Sequence, residues 1–431
     1  MRIELPQDFV RLMHEHYDTA TADVLCEALV STEPEVSIRL NPRKLSAEEV
    51  LAVHPDYEPV PWCPNAFYLP DRPAFTFDPL LHAGAYYVQE ASSMYIASLT
   101  PALSKGEGEP LRPFPPPLEG TGEALLCLDL CAAPGGKSTL LQSLLPDGSL
   151  LISNEPIAKR AQILSENMQK WMTGQPEEAP QVIVTQNYPH EFGALTGKVD
   201  ILLTDVPCSG EGMFRKDEGA IREWSLENVM KCQQRQRDIL SDIWHVLKPG
   251  GLLIYSTCTF NRFEDEDNAR WICSELGGEL LMERHFLPGR DRGEGFYVAA
   301  ISPLPQPLPR GGGENGCVLC PEEVVKRLYG LHILYDSVSS ASFSPLLLGG
   351  GAGGGGCVDL TYSEALQYLR REALRIDAPR GPVTLCYRGL VLGPGKGVGN
   401  RINNLYPEQW RIRTTYTTPF SLLSPVEHVP E

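Results

Sequence analysis

Two cysteines stand directly after apolar runs that have the composition of buried β-strands. Cys208 lies in the sequence DVPCSG, after the run at 200–205, and Cys258 lies in STCTF, after the run at 251–256. A lone cysteine in such a position is more often a buried apolar residue than a nucleophile. Two cysteines that converge at one edge of a sheet, one of them close to Asp205, are instead typical of covalent catalysis.

A loop of small residues precedes a helix-compatible segment in the same part of the chain. Its residues are Cys131, Ala132, Ala133, Pro134, Gly135, Gly136 and Lys137. A phosphate-binding loop needs glycine where Cys131 stands, whereas a nucleoside-cofactor loop is followed by an acidic residue that binds the ribose hydroxyls. Glu155, after the next apolar run, could bind the ribose or merely cap the following helix. Together the loop and Glu155 favour a nucleoside cofactor.

Short apolar runs alternate with helix-compatible stretches around these residues. The runs span 125–130, 150–153, 181–185, 200–205 and 251–256, and helices are predicted over 138–145, 157–172 and 235–247. Continuous apolar strands that alternate with helices indicate a parallel sheet covered on both faces, with its ligand at the carboxyl ends of the strands. The predicted fold class is therefore α/β, with a doubly wound, Rossmann-like domain at its centre.

The motifs taken together resemble those of a known enzyme family. The matching segments are LDLCAAPGGK at 128–137, DVPCSGEGMFRK at 205–216, YSTCT at 255–259, SIRLN at 37–41, GAYYVQEASSM at 84–94 and GFYVA at 295–299. Over roughly residues 1–300 the chain resembles the Nop/Sun family of RNA 5-methylcytosine methyltransferases. The resemblance is greatest to the bacterial ribosomal-RNA branch of that family, which ends in a PUA-like domain.

The resemblance implies methyl transfer from S-adenosylmethionine to carbon 5 of a cytosine. That carbon is a weak nucleophile, and addition of a thiolate to carbon 6 makes it reactive. Cys258 would be the nucleophile and Cys208 the residue that helps to release the product. Asp205 would contact the base and lie near the methyl donor, with Lys137 close by. Cys208 remains the alternative nucleophile, because DNA cytosine methyltransferases attack with a cysteine that follows proline.

The same resemblance assigns residues to the cofactor. The predicted contacts to S-adenosylmethionine are the loop 131–137, Glu155, Asn187 and Asp205. Where the family has an acidic residue near the adenine, this chain has Asn187 and Tyr188. We expect Asn187 to hydrogen-bond the adenine edge and Tyr188 to stack on it.

The last part of the chain has the pattern of a small β-rich unit. A helix is predicted over 359–371 and a hairpin over 381–393, and the unit resembles the PUA-like RNA-binding module. The alternative is a packing module with a charged, solvated face. The predicted RNA contacts are Lys396, Arg401, Arg411 and Arg413, with Arg39 in the N-terminal part.

Stretches rich in proline and glycine separate the predicted units. The expected domains are an N-terminal RNA-binding extension at 1–85, a catalytic domain at 86–302 with an insertion at 101–122, a linker at 303–356 and a PUA-like domain at 357–431.

Net charge limits where RNA could bind. The chain carries a formal charge of −18, and phosphate contacts require Lys and Arg. Residues 358–431 contain nine Lys and Arg against seven Asp and Glu, so this part is mildly basic and permits an RNA-binding face. The expected partner is RNA, either ribosomal RNA or the small ribosomal subunit, with transfer RNA as the alternative substrate.

The apolar runs, the first residues and the cysteine spacing bear on where the protein acts and on whether it binds a metal. No apolar run reaches the length of about 20 residues that spans a bilayer, and the first residues lack a signal-peptide pattern. We therefore predict no membrane association, a cytoplasmic location and reduced cysteines. We also expect a monomer, because nothing in the sequence suggests a large apolar interface. Cys317 and Cys320 have no second ligand pair at zinc spacing, so no metal is expected.

Two rival classes of function remain. A P-loop nucleotide hydrolase is disfavoured by Cys131. A non-catalytic ribosome-assembly factor is disfavoured by the intact pair Cys208 and Cys258.

Overall fold

The computed structural model describes residues 4–99, 124–304, 330–337, 357–414 and 419–423, together with residues 324, 326 and 328. The predicted insertion at 101–122, most of the predicted linker, and Cys317 and Cys320 lie outside these described residues. Within the described ranges the strands form three sheets.

The N-terminal unit combines helices with a four-stranded antiparallel sheet of order β2-β3-β1-β4. Its elements are α1 (Gln7–His16), α2 (Thr19–Ser31), β1 (Val36–Leu40), α3 (Ala47–Val53), β2 (Glu58–Pro59), β3 (Ala66–Leu69), α4 (Pro79–His82) and β4 (Tyr86–Val88). Asp18 caps α2, and Ser46 and Glu49 form a reciprocal capping box at the start of α3. Because β4 pairs with β1, this sheet extends past the domain boundary predicted at residue 85.

The second sheet has eight strands in the order β10-β11-β9-β8-β5-β6-β7-β12. They are β5 (Leu126–Asp129), β6 (Leu150–Asn154), β7 (Gln181–Thr185), β8 (Val199–Asp205), β9 (Leu247–Thr257), β10 (Gly278–Phe286), β11 (Phe296–Pro303) and β12 (Ile333–Asp336). Strands β5 to β9 pair in parallel, and the three later strands pair antiparallel at the two edges. All five predicted strands are present, which confirms the α/β fold class.

The position of β5 determines where a ligand would bind. β5 lies between β6 and β8, so the connections on its two sides run in opposite directions along the sheet. Doubly wound sheets bind ligands in the crevice at the carboxyl ends of such strands. The loop 131–137 follows β5 and Asp205 ends β8, so both border this crevice.

Helices cover both faces of the sheet. They are α5 (Gly136–Leu144), α6 (Ala158–Met172), α7 (Glu218–Glu223), α8 (Leu226–Ile243) and α9 (Glu266–Glu275). α8 begins well before its predicted start at residue 235, because the Ser225 hydroxyl caps the Asn228 N–H and the buried residues Val229 and Cys232 extend the apolar face.

Apolar clusters fill the space on each side of the sheet. Successive residues alternate between them: Leu203 and Ile254 belong to one cluster, and Leu202 and Leu253 belong to the other. Burial on both faces explains why these strands appear in the sequence as continuous apolar runs.

β12 corrects part of the domain prediction. Residues 333–336 were assigned to a linker, but they pair antiparallel with β7. The Ser337 hydroxyl also accepts a hydrogen bond from the Val182 N–H at 2.7 Å. The linker prediction is wrong for these residues, because they cover the otherwise open edge of β7.

The C-terminal unit forms a third sheet of order β13-β14-β15-β16. Its elements are β13 (Cys357–Asp359), α10 (Tyr362–Leu369), β14 (Ala378–Tyr387), β15 (Leu390–Gly399) and β16 (Ile402–Asn404). This unit shares an apolar cluster with the N-terminal sheet. The ring centres of Phe75 and Phe420 lie 5.9 Å apart, and the Leu422 N–H donates to the buried carboxylate of Asp78 at 3.0 Å.

One cysteine pair is brought together by strand pairing. Cys357 of β13 and Cys386 of β14 lie side by side, with their Cα atoms 6.5 Å apart. The reduced state of this pair stays a prediction. Cys131, Cys208 and Cys258 are free.

Candidate active site

Both predicted catalytic cysteines lie at the carboxyl edge of the central sheet. Cys258 directly follows β9 and Cys208 follows β8, and these strands are neighbours. The two Sγ atoms are 3.3 Å apart, and both side chains are half-buried. The hydrogen bond with Cys258, together with burial, raises the pKa of the Cys208 thiol well above its ordinary value. Cys208 therefore keeps its proton and can donate its S–H to Cys258.

Two buried carboxylates hold the loops after β8 and β9 together. Glu211, on the loop after β8, accepts hydrogen bonds from the N–H groups of Phe260 at 2.6 Å and Asn261 at 3.1 Å on the other loop. Glu264, on the loop after β9, accepts a hydrogen bond at 3.0 Å from the N–H of Ser209 on the loop after β8. The Asn261 side chain donates to both carboxylates at 2.9 Å each. We call Glu211, Asn261 and Glu264 the carboxylate clasp.

A backbone contact reinforces the clasp. The Gly212 N–H donates to the Cys258 carbonyl at 2.7 Å, and a Cβ atom at position 212 would lie 2.7 Å from the same oxygen. Only glycine permits this approach. Burial and the charge of Glu264 raise the pKa of Glu211 to about 8, although its N–H donors act in the opposite direction. Sequence reasoning gave Glu211 no role, because Phe260, which it binds, is 49 residues away in the chain.

A second buried network supports the loop after β9 and was also missed. Asp265 accepts hydrogen bonds from the hydroxyls of Thr257 at 2.5 Å and Thr259 at 3.0 Å, which flank Cys258. His285 Nε2 lies 2.9 Å from the other oxygen of Asp265. Asp265, Glu266 and His285 are also close enough together to offer metal ligands. Asp265 supports the loop directly through these hydrogen bonds, and His285 supports it through its contact with Asp265.

Lys137 and Asp205 form an ion pair beside the thiols. The Lys137 Nζ lies 2.9 Å from Asp205 Oδ2, and the Ser256 hydroxyl donates to Asp205 Oδ1 at 2.8 Å. Burial alone would lower the pKa of Lys137, but Asp205, Cys258 and Asp129 together hold that pKa above its ordinary value. The structure thus brings together the four residues predicted to be catalytic.

The predicted cofactor loop has its carbonyl groups turned toward the protein. The Pro134 carbonyl accepts hydrogen bonds from Asn167 at 2.8 Å and Tyr87 at 3.2 Å, and the Ala133 carbonyl accepts one from Arg160 at 3.0 Å. Gly135 has a φ of 115°, a conformation that favours glycine. The N–H groups of the first turn of α5 lack intrahelical acceptors, so they are available to a ligand.

Polar groups near the loop fit a nucleoside with charged substituents. Glu155 is buried at the end of β6, where its carboxylate accepts the Ile157 N–H at 3.0 Å and lies 3.2 Å from Arg160. Asp129 accepts the Ser138 hydroxyl at 2.6 Å on one oxygen, and its other oxygen has no partner among the described residues. Burial raises the pKa of Asp129 to about 7. Unsatisfied buried polar atoms of this kind are expected where a ligand binds.

Asn187 is buried at the edge of the same crevice. Its Oδ1 accepts the His332 N–H at 3.1 Å, and its Nδ2 donates to Glu191 at 3.3 Å. Tyr188 is exposed and stacks against His190. The protein thus already uses both ends of the Asn187 amide, and its contact with adenine stays a prediction.

Arg39 requires a correction. It is 1% exposed, and its guanidinium donates to Gln89 at 2.9 Å, to the Gly136 carbonyl at 3.2 Å and to Thr139 at 2.6 Å. The prediction that Arg39 contacts RNA is wrong, because the side chain is enclosed between β1 and the start of α5. Its position shows that it supports the cofactor loop from the protein side.

The other predicted RNA contacts lie in the C-terminal unit. Lys396, Arg401, Arg411 and Arg413 are all exposed. Their role in RNA binding stays a prediction.

Comparison with known families agrees with this geometry. Residues 120–302 match the family described as 16S rRNA methyltransferase RsmB/F, residues 5–91 match the N-terminal domain of 16S rRNA methyltransferase RsmF, and residues 356–412 match the methyltransferase RsmF PUA domain. The chain belongs to the RsmB/F methyltransferase family. S-adenosylmethionine is the methyl donor of this family, as the sequence predicted.

Curated relatives of this RsmB/F family chain carry the name ribosomal RNA small subunit methyltransferase F. The protein from Cronobacter sakazakii is 31% identical over 72% of this chain and 66% of its own length. The protein from Pectobacterium atrosepticum is 34% identical over 65% of this chain and 59% of its own length. These two alignments therefore span less than two thirds of the relatives. The protein from a Shewanella species is 25% identical over 94% of this chain and 97% of its own length.

Solved structures support the RsmB/F fold assignment. NSun6 from Pyrococcus horikoshii with SFG superposes with a TM-score of 0.56 and 17% identity, covering 70% of this chain and 99% of that chain. A methyltransferase homologue from the same organism superposes with a TM-score of 0.52 and 23% identity, covering 70% of this chain and 100% of that chain. At these identities the likeness concerns the fold. Within the described ranges, no helix is both long and apolar enough to cross a membrane.

Proposed function

We propose that this protein methylates carbon 5 of a cytosine in small-subunit ribosomal RNA through a covalent cysteine adduct at carbon 6. The observation that carries the proposal is the pair of thiols, Cys208 and Cys258, 3.3 Å apart beside the Lys137–Asp205 ion pair. Covalent activation of the ring and later release of the product are separate steps, so two thiols have separate uses.

Cys258 acts first. Its Sγ, as a thiolate accepting the S–H of Cys208, adds to carbon 6 of the ring, and the electron density moves to carbon 5. Asp205 lies beside the ring and accepts a hydrogen bond from the base, while the ion pair with Lys137 orients the Asp205 side chain. S-adenosylmethionine, when bound by the loop 131–137 and Glu155, supplies an electrophilic methyl group.

Cys208 acts in the second half of the reaction. Once Cys258 Sγ is bonded to carbon 6, Cys208 loses the hydrogen-bond partner that is the first cause of its raised pKa. Its proton is then released more readily to solvent, and the resulting thiolate accepts the proton from carbon 5. The carbon–sulfur bond breaks, Cys258 leaves as a thiolate, and both thiols return to their starting state.

The substrate follows from the relatives and from the accessory units. Relatives named for the ribosomal small subunit match the chain along its length, and an RsmF-type PUA domain matches residues 356–412. We assign ribosomal RNA or the small subunit as the partner, with action in the cytoplasm and as a monomer.

The decisive experiment compares the wild type with Cys208→Ala and Cys258→Ala. Each protein is incubated with unmodified small-subunit ribosomal RNA and S-adenosylmethionine, followed by a denaturing gel for the protein–RNA adduct and mass spectrometry for 5-methylcytosine. Cys208→Ala should accumulate the adduct, because product release is blocked. Cys258→Ala should form no adduct and should lose methyl transfer by at least about a thousandfold.

Cys273→Ala is the matched control, since Cys273 is a free, half-buried thiol on α9 outside the site. It should behave as the wild type. The reverse pattern, with adduct in Cys258→Ala, would exchange the two roles. Absence of 5-methylcytosine and of adducts on free ribosomal RNA, on subunits and on transfer RNA would reject the proposal.

A further inference from the structure

A cleft opens beside α6 where the N-terminal unit meets the C-terminal unit. Its volume is about 220 Å³, and neither cysteine loop contributes to its lining. His82, Tyr87, Val88, Asn167, Lys170 and Trp171 line it. The C-terminal unit borders it through Trp410, whose ring centre is 4.9 Å from the Lys170 ammonium, and through Tyr406, whose hydroxyl is 3.4 Å from His82.

Lys170 contributes positive charge to the cleft without a carboxylate partner. Among the described residues its ammonium makes neither an ion pair nor a hydrogen bond, and Trp410 is its nearest specific contact. Glu166, one turn earlier on α6, attracts the Lys170 ammonium through its charge but does not form an ion pair with it, and it accepts a hydrogen bond from Gln162 at 3.2 Å. A cation in this state can bind an anion without first breaking an existing pair.

Two more basic side chains lie in the wall behind the cleft, and burial lowers the pKa of Lys44 to about 7, so that Arg39 is the one of the two that keeps its full charge at neutral pH. The Lys44 ammonium donates to the carbonyls of Ala83 at 2.7 Å and Lys170 at 2.8 Å. The Arg39 guanidinium lies 4.7 Å from the centre of the Trp171 ring, and its Nη1 has no hydrogen-bond partner in the described part of the chain. Within that part, no carboxylate pairs with Arg39 or Lys44.

Lys170 and Arg39 thus place two positive charges without ion-pair partners, among the described residues, in a chain with a formal charge of −18. Burying a cation without a counter-charge is unfavourable, and the low dielectric of the surroundings strengthens its attraction for an anion nearby. The wall of the cleft therefore favours a negatively charged ligand.

The cleft also offers an aromatic surface that is joined to the cofactor loop. Tyr87 is half-buried, and its hydroxyl donates to the Pro134 carbonyl at 3.2 Å. Asn167 donates to the same carbonyl at 2.8 Å. A cation and an aromatic ring in one cleft are the combination that proteins use to bind the phosphate and the base of single-stranded nucleic acid.

We propose that this cleft is a second RNA site that holds one unpaired nucleotide of the substrate strand. The backbone phosphate lies on Lys170, with the charge of Arg39 behind it, and the base stacks on Tyr87. The inference rests on the proposed RNA substrate, but it concerns a site separate from the thiols.

The test measures binding of a fluorescent single-stranded RNA of about 12 nucleotides to the full chain, at salt concentrations from about 50 to 300 mM. Lys170→Gln should weaken binding about threefold to tenfold, and the slope of log Kd against log salt should fall by about 0.7, the value for one phosphate contact on a single strand. Lys198→Gln is the control, because Lys198 directly precedes β8, does not line the cleft, and its substitution removes the same charge.

Photocrosslinking with the same RNA carrying 4-thiouridine tests the contact directly. We expect a crosslink on the peptide containing Tyr87 and its loss in Tyr87→Leu. Equal binding by Lys170→Gln and Lys198→Gln, or crosslinks that never include the cleft residues, would overturn the proposal. If the crosslink forms but wild-type protein makes no 5-methylcytosine, the proposed function is rejected and RNA binding in the cleft is kept. If 5-methylcytosine forms but Lys170→Gln binds RNA as well as the control does, RNA binding in the cleft is rejected and the proposed function is kept.

Discussion

At the scale of single residues, chemistry in this site is set by immediate neighbours. Cys208 and Cys258 are both cysteines at the ends of neighbouring strands. Because each is the hydrogen-bond partner of the other, only one of the two thiols can lose its proton first. Lys137 likewise owes its retained charge to Asp205, because burial by itself would favour the neutral amine. For Asp129, by contrast, burial prevails over the neighbouring groups and favours the protonated, uncharged carboxyl group.

Asp129 gives a prediction for the pH dependence of stability. Burial raises its pKa from 3.8 to about 7, so between these values the folded chain binds a proton that the unfolded chain has lost. Stability from this group is therefore complete below the unfolded pKa and decreases as pH rises toward about 7. Relative to Asp129→Asn, which cannot ionise, the wild type should lose about 2–3 kcal/mol of unfolding free energy between about pH 5 and pH 8.

Urea denaturation of both proteins without cofactor, at the two pH values, measures this difference. Asp217→Asn is a suitable control, because Asp217 is an exposed helix cap. A difference between the wild type and Asp129→Asn that does not change with pH would show that Asp129 is ionised throughout.

At the scale of elements, the carboxylate clasp determines whether the two loops present their thiols together. In Glu264→Gln, one carboxylate oxygen becomes an NH₂ group that faces the N–H donors of Ser209, Gln236 or Asn261. Donors would then face donors, and the loop after β8 should move away from the loop after β9. We expect single-turnover methyl transfer to slow by about 10- to 100-fold, since displacement of reacting groups by about 1 Å has effects of this size.

Glu223→Gln provides the comparison for the clasp, because Glu223 is exposed at the end of α7. It should keep the wild-type rate. Rapid-quench measurement of 5-methylcytosine at saturating RNA distinguishes slower chemistry from weaker binding. A wild-type rate in folded Glu264→Gln would show that the loops stay together without the clasp.

At the scale of the whole molecule, the C-terminal unit is part of the support for the N-terminal sheet. Asp78 is fully buried and accepts hydrogen bonds from the Leu422 N–H and the Tyr86 hydroxyl, both at 3.0 Å. The Tyr362 hydroxyl donates to the Phe77 carbonyl at 2.9 Å. Removal of residues 357–431 would expose the shared apolar cluster and remove the Leu422 donor of Asp78 and the Tyr362 donor of the Phe77 carbonyl.

We therefore expect the chain truncated after residue 356 to melt at a lower temperature than the full chain. Amide exchange in residues 75–88 should become faster, whereas exchange in β5 and β8 should change little because those strands pack elsewhere. Differential scanning calorimetry and hydrogen exchange measure the two effects. Unchanged exchange in residues 75–88 would show that the two units are independent.

The sequence by itself determined the elements and the types of residue at the sheet edge. Strands buried on both faces appear as continuous apolar runs, so β5 to β9 could be located, and parallel strands place their carboxyl ends at one edge. That rule predicted that Cys208, Cys258, Asp205 and the loop 131–137 would converge. Local capping by Ser225 was not recognised, which is why the predicted α8 began too late.

Only the tertiary structure decided which groups actually meet. The clasp joins residues about 50 positions apart, and no local pattern reports a hydrogen bond between two distant loops. Arg39, in a segment that resembles the family, was predicted to contact RNA, but packing against Trp171 and the start of α5 enclosed it. The β12 edge strand, the Cys357–Cys386 pair and the cleft at Lys170 depend in the same way on neighbours contributed by separate segments. The hydrophobic periodicity and composition of a segment indicate which secondary structure it can form, whereas the whole fold determines which other segments it contacts.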